Sequence, residues 1–342
     1  MIALDKKYVH THPSGEDIYL FTLTNRNGTK VSCTNYGAII TSFVVKGQNI
    51  VLGFDEVRKY FAADYLAGYP YFGCLVGRYA NRIKGAQFII DGTEYQVARN
   101  KGADHLHGGE EGFGRKMWRV LAATTDPQPT LTLEYSSPDG EEGYPGNLVT
   151  LFNITLTPKD ELILTTTATT DKPTAVNLTH HDYFCLDNSG HIGNHQVQIH
   201  SSAYLEQDDN FVTTGNKIPV AGTPHDFTQL RKVNANWVAA DGFDQTFVLD
   251  NNNQGGLQPA ATCISNETGL KLEVLTTEPV VHFYTGKWNP VLEYKSRKVY
   301  GPFSGLCFET HKEPNAINIP SFSNTVLRPG EVYSSTTVYR VS

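Results

Sequence analysis

Apolar and polar residues alternate wherever a period can be read along this 342-residue chain. Leu131, Leu133 and Tyr135 fall on one side of an extended segment, and Leu270, Leu272 and Val274 repeat the pattern around Lys271 and Glu273. A period of two residues turns one face of a strand inward and the other toward water. Comparable runs at 18–23, 31–45, 148–156, 162–169, 196–205 and 332–341 are rich in Thr, Val, Ile and Tyr, which suit a pleated, half-buried surface. Turn signatures separate them: Asn27-Gly28, Asp91-Gly92, Asp139-Gly140, Pro145-Gly146 and Pro329-Gly330. Helix-like pattern is confined to 56–64 and 227–233, and neither piece recurs between strands as a crossover helix would. There is no internal repeat, low-complexity tract or linker. The expectation is an all-β chain, a single domain over 1–342 built as a large antiparallel β-sandwich of curved sheets.

Composition narrows the class of partner. Hydrophobic residues make up 39% and aromatics 11%, enough for a sizeable core. The formal net charge is −7 with Lys and Arg scattered, so no basic stripe is present to meet phosphates or an anionic membrane. No stretch approaches the roughly 20 apolar residues that span a bilayer, and the first twenty residues have no signal-like apolar run. A cytoplasmic protein is expected, without nucleic-acid or membrane partners, as a monomer or homodimer. Cys33, Cys74, Cys185, Cys263 and Cys307 are far apart and lack CxxC spacing, which predicts buried free thiols rather than disulfides or a thiolate zinc site.

Candidate chemistry gathers in five segments where polar groups sit beside Gly or aromatics: 77–83, 105–109, 177–183, 242–245 and 305–310. Asn81 and Arg82 offer an amide and a guanidinium, able to grip neighbouring hydroxyls or to form an ordinary surface salt bridge. His105 and His107, placed on the same side of an extended segment, read equally as a metal pair or as hydrogen-bonding groups, with Gly108 and Gly109 letting a ligand approach the backbone. His180 and His181 would point to opposite faces of a strand, so one of them could enter a cleft. Glu309 is flanked by Leu306, Cys307 and Phe308, a setting that raises a carboxyl pKa whether the group is paired structurally or tuned for proton transfer. Asp244 sits in a turn-like stretch, where Asp commonly serves local hydrogen bonding.

At these segments the chain resembles the aldose 1-epimerase (galactose mutarotase) family. Gly77-Arg-Tyr-Ala-Asn-Arg-Ile83, Leu106-His-Gly-Gly109, Ser137-Pro-Asp-Gly-Glu-Glu-Gly-Tyr-Pro-Gly146, Asn177-Leu-Thr-His-His-Asp-Tyr-Phe184 and Leu327-Arg-Pro-Gly-Glu331 are similar to its blocks, in the family's order. The resemblance implies a galactose mutarotase-like supersandwich with an open cleft for a free hexopyranose such as galactose or glucose, and neither metal nor organic cofactor. It implies Glu309 as general base toward the anomeric hydroxyl and His181 as general acid toward the ring oxygen. Asn81, Arg82, His107 and Asp244 match its sugar-binding positions, Tyr183 neighbours the acid, and His282 stands where a sugar-binding Gln is common. His180 replaces a frequent Asn, and His311 a frequent Gln, so sugar preference is not carried over. Two other readings compete. A cupin-like metal enzyme would use His105, His107 and Glu111, but Arg99 stands where that motif needs Gly, and 145–153 lacks a further His. A non-catalytic carbohydrate binder on the same fold would need neither Glu309 nor His181 in those roles.

Overall fold

The structure is a computed structural model describing residues 2–237, 242–250, 256–295 and 298–342. Strands dominate, and every ladder within its sheets is antiparallel. The largest sheet has nine strands, running in space Arg119–Thr124, Thr130–Ser137, Leu148–Leu156, Glu161–Thr170, Tyr333–Val341, Lys271–Thr276, Gln258–Ile264, Gln196–Ile199 and Arg231–Lys232. A five-stranded sheet follows the order Thr213–Pro219, Ala203–Gln207, Asp244–Val248, Val280–Tyr284, Cys307–His311. A second five-stranded sheet is an N-terminal meander from Ala3–Thr11 to Gln48–Asn49.

Alternation of burial follows the sequence pattern. In Leu148–Leu156 the even-numbered residues Leu148, Thr150, Phe152, Ile154 and Leu156 are buried and the odd ones face outward. Each fully buried Leu, Ile or Phe contributes about 1.5–3 kcal/mol, and the main core cluster runs from Ile18 to Val341, drawing on all three large sheets. A smaller cluster gathers Tyr79, Ile83, Phe88, Val97 and Tyr144. All five turn glycines named above adopt positive φ, between 78° and 87°.

The structure differs from the sequence pattern in three places. The run 31–45 is two strands, Lys30–Thr34 and Ile40–Val45, paired with each other after a reversal at 35–39. The run 196–205 breaks at 200–202, where Ser201 Oγ donates to the Ala203 and Val248 carbonyls. Its two halves therefore join different sheets, a corner device of sandwiches. The helix-like segment 227–233 is no helix: Phe227 is buried under the Arg231 guanidinium, 3.9 Å from its ring centroid, and Arg231–Lys232 adds an edge strand. The other segment does hold short helices, Val57–Phe61 and Ala63–Gly68.

Candidate active site

Three neighbouring strands of the five-stranded sheet build the floor of the site. His282 pairs across with Thr246 on one side and Glu309 on the other. Opposed residues share a face, and the face repeats every second residue. One face therefore carries Asp244, Thr246, His282, Tyr284, Cys307, Glu309 and His311. The other carries Phe247, Val281, Phe283 and Phe308, with Phe283 and Phe308 stacked at 5.5 Å. Both Val280–Tyr284 and Cys307–His311 are buried along their whole length, so an apolar layer backs the polar face directly.

The remaining groups arrive on loops from other sheets. His181 follows the two-residue strand Thr179–His180 and is pinned through its backbone, donating to the Cys74 carbonyl and accepting from the Gly73 N–H. Arg82–Ile83 pairs with His105–Leu106, and the His107 N–H donates to the Asn81 carbonyl at 3.0 Å. Tyr71, Asn81, His107 and Phe211 all hold left-handed backbone, with φ of 61°, 58°, 49° and 63°. Such residues cost of order 1–3 kcal/mol each and cluster where side chains must be aimed. These four line one cavity.

That cavity, about 470 Å³, is the size of a small-molecule site. Glu309, His181, Asn81, Arg82, His107, Asp244, Tyr183 and His282 all line it. Glu309 Oε1 lies 3.5 Å from His181 Nε2, too long for a good hydrogen bond but within ion-pair distance. Glu309 Oε2 has no partner among the described residues. Burial pushes the Glu309 carboxyl up to about 7, with nearby Asp244 adding to the rise and His282 and Arg82 opposing it. Burial likewise drives His181 down to about 3, helped by the charges of His282 and His180. Although the two lie within ion-pair distance, their burial favours the neutral forms.

Asp244 is held ionised. Burial would raise its pKa, but the His282 Nε2–H bond to its Oδ1 at 2.9 Å and the charges of His282 and Arg82 keep it below the ordinary value. His282 Nδ1 meets Thr246 Oγ1 at 2.8 Å. Both of its ring nitrogens are thus taken, and its direct contribution is to orient Asp244. The Tyr183 hydroxyl is also engaged, donating to the Pro70 carbonyl, so Tyr183 presents a ring rather than a donor, stacked on His181 at 5.0 Å. Tyr71 also stacks on His181, at 5.8 Å, and contacts His107 at 4.7 Å. Arg82 has no carboxylate partner among the described residues and lies 5.4 Å over the Phe211 ring.

Several expectations change. The proposed same-side pair of His105 and His107 is not formed, because the left-handed turn at His107 reverses its direction. His105 instead bonds the Ala98 carbonyl and the Tyr144 hydroxyl in the smaller core, while Glu111 is exposed and paired with Lys116. The cupin ligand set therefore does not assemble. Gly108 and Gly109 serve a close approach between protein segments rather than to a ligand: a Cβ on Gly108 would meet the Gly77 carbonyl oxygen at 1.7 Å. His180 points away from the cavity, bonded to Asp182 and stacked on Phe152. Tyr71, Phe211, Tyr284, Trp288 and Asn289 also line the cavity and were absent from the sequence-based set. A cluster of Tyr and Pro at 69–71 was the available signal.

Two groups of side chains have metal-like spacing. His107, His181 and Glu309 offer ligand atoms within 4.8 Å of one another. The Asn81 N–H donates to His107 Nδ1 at 3.2 Å, which leaves the hydrogen on Nε2. A metal there would require His107 to give up that bond and reverse its tautomer. Cys185, Asp187 and His195 form the second group, but His195 Nε2 accepts from the Leu186 N–H, and Ser189 and Ser265 bond the two Asp187 oxygens.

Comparison with known proteins points one way. A family model described as aldose 1-epimerase matches residues 19–340. Human galactose mutarotase is 38% identical over 323 residues, covering 92% of this chain and 91% of that protein. Aldose 1-epimerase of Escherichia coli K12 is 33% identical over 342 residues, 96% of each chain. The crystal structure of galactose 1-epimerase from Lactobacillus acidophilus superposes with a TM-score of 0.87 at 25% identity, covering 100% of this chain and 99% of that one.

Proposed function

Because the chain belongs to the aldose 1-epimerase family, and is an isomerase that interconverts the anomers of aldoses, we propose that Glu309 is its general base and His181 its general acid. The observation that carries this assignment is the convergence of Glu309 Oε1 and His181 Nε2, 3.5 Å apart, in a cavity walled by tyrosines. The anomeric hydroxyl and the ring oxygen of a pyranose hang on one carbon, so a base for the first and an acid for the second must also converge.

The chemistry is a paired proton transfer. Glu309 carboxylate takes the O1 proton, C1=O1 forms as the C1–O5 bond breaks, and O5 takes the Nε2 proton of the His181 imidazolium. Half a turn about C1–C2 presents the other carbonyl face. O5 then attacks C1 and returns its proton to His181, while O1 recovers a proton from Glu309. Each positioned acid or base typically contributes about 10²–10⁴-fold. The pair works when it holds a single proton. Arg82 and the His107 Nε2–H favour oxygen charge in the cavity, Asn81 offers a neutral amide, and ionised Asp244 accepts sugar hydroxyls. The substrate we favour is a free neutral hexopyranose, galactose or glucose. Five buried free thiols suit a reducing compartment such as the cytosol.

Polarimetry of fresh α-D-galactose and α-D-glucose with chelator-treated protein tests this. Wild type is expected to accelerate mutarotation. Glu309→Gln and His181→Asn should each lower kcat by at least about 100-fold, whereas Asn81→Ala should chiefly raise KM. Comparable mild losses in all three variants would overturn the roles, and activity that disappears with chelation would favour a metal at His107, His181 and Glu309.

A further inference from the structure

The acid role gives the far nitrogen of His181 a task of its own. During opening Nε2 gives up its proton, and on closure it takes one back. Neutral His181 must therefore carry its hydrogen on Nδ1, and that nitrogen needs an acceptor throughout the cycle. A hydrogen held on Nε2 instead would block the return transfer. What stands beside Nδ1 is sulfur: Cys307 Sγ lies 3.6 Å away. Cys307 sits two residues before Glu309 on the same strand face and is fully buried. The backbone carbonyl of His181 is a second acceptor near the ring, and it also receives the Gly73 N–H at 2.9 Å.

We propose that Cys307 is a positioning residue for the general acid: its sulfur accepts the Nδ1–H of His181, fixes the tautomer, and aims Nε2 past Glu309 into the cavity. The inference rests on His181 being the acid. Tyr71 and Tyr183 pack near-parallel to the imidazole, with ring centroids at 5.8 and 5.0 Å, and oppose its rotation about Cβ–Cγ. The sulfur contact at Nδ1 then decides which ring nitrogen carries the hydrogen.

Sulfur also suits the chemistry required. A carboxylate at this position would stabilise the imidazolium and make it reluctant to protonate an ether oxygen, which is a poor base. A thiol is a weak, uncharged acceptor, and burial, with Glu309 and Asp182 near, keeps Cys307 protonated. The titratable and charged groups around His181 are Glu309 and Cys307 from the floor strand, His107 and Tyr71 from the loops, Tyr183 and His180 from its own segment, and His282, Asp244 and Arg82 across the cavity. Among the described residues only Glu309 brings a carboxylate within ion-pair distance.

The test compares Cys307→Ala and Cys307→Ser with wild type and His181→Asn. It measures kcat and KM for galactose mutarotation, and uses ¹⁵N NMR to read which nitrogen of His181 bears hydrogen. Alanine should lower kcat about tenfold with KM within about twofold, and move the hydrogen to Nε2. Serine, whose oxygen can accept, should restore most of kcat and keep Nδ1–H. The proposal fails if the alanine variant matches wild type in kcat and tautomer, or if alanine and serine lose activity equally and in step with thermal stability. An active His181→Asn would remove the acid assignment and the positioning role with it. An inactive one beside a wild-type-like alanine variant would remove the positioning role alone.

Discussion

Opposite shifts in two side chains set the pH response of the site. Burial raises Glu309 to about 7 and lowers His181 to about 3. These belong to a pair sharing protons, so they mark the limits of its singly protonated form. Raising the pH through about 7 strips the last proton from the pair and leaves no acid. Lowering it through about 3 adds a second and leaves no base. In the free enzyme kcat/KM should therefore stay level from mildly acidic pH up to neutrality and fall above about 7, with a limb that Glu309→Gln abolishes together with activity. A profile still rising at pH 9 would show that the pair is not the titrating unit. Residue type alone left Glu309, His181, Asn81, Arg82, His107 and Asp244 each with an ordinary structural use, and it was the ordered, family-like blocks around most of them that drew the set together before the cavity did. What stayed hidden depends on three-dimensional partners: that His282 spends both nitrogens on Asp244 and Thr246, that His107 is held as the Nε2–H tautomer, and that Tyr71 packs against both His107 and His181.

Among the elements, the two-residue period was a faithful guide to which segments are strands, and a poor one to where a strand stops. Alternation continues through 200–202 although the chain changes sheets there, because both sheets bury the same parity of residue. At the two site strands the pattern fails differently: five successive buried residues in Cys307–His311 hide a polar face behind an apolar one. The Ser137–Gly146 block reads as a family signature but does not touch the cavity. Its work is done by Arg78, whose guanidinium donates to the carbonyls of Ser137, Pro138, Pro145 and Gly146 and to Ser137 Oγ. Arg78 precedes Asn81 and Arg82 by one short loop, so this knot anchors that cavity-lining segment to the nine-stranded sheet. Arg78→Met would strip the guanidinium donors from the buried carbonyls of Ser137, Pro145 and Gly146 and should cost upward of about 3 kcal/mol, read as a fall in the denaturation midpoint. A loss below about 1 kcal/mol would mean that water replaces the guanidinium.

For the molecule as a whole, the cavity is a place where stability is given up. Folded Glu309 keeps its proton up to about 7, against 4.5 for an ordinary Glu. Between those values the folded state binds more protons than the unfolded one, so this residue's contribution to stability declines as pH rises and reaches its full cost, roughly 3 kcal/mol, above 7. His181 acts in the opposite sense. Its value falls from 6.5 to about 3, so the folded state binds fewer protons and stability is lost as pH falls below 6.5. His107 is shifted the same way, and so are His105, to about 4, and His311, to about 3, all chiefly by burial. Acid should therefore unfold the protein progressively below 6.5, with His181 and its fellow histidines charging on unfolding. Against that background Glu309→Gln removes one slope and leaves the rest. Relative to wild type the variant should gain little near pH 4.5 and a few kcal/mol at pH 8, as measured by urea titration at both values, while losing activity. Catalytic carboxylates kept dry generally trade stability for function in this way. An equal difference at the two pH values would show that the Glu309 carboxyl is hydrated in the folded protein, and would remove the reason for its raised pKa along with the basic limb expected in the rate profile.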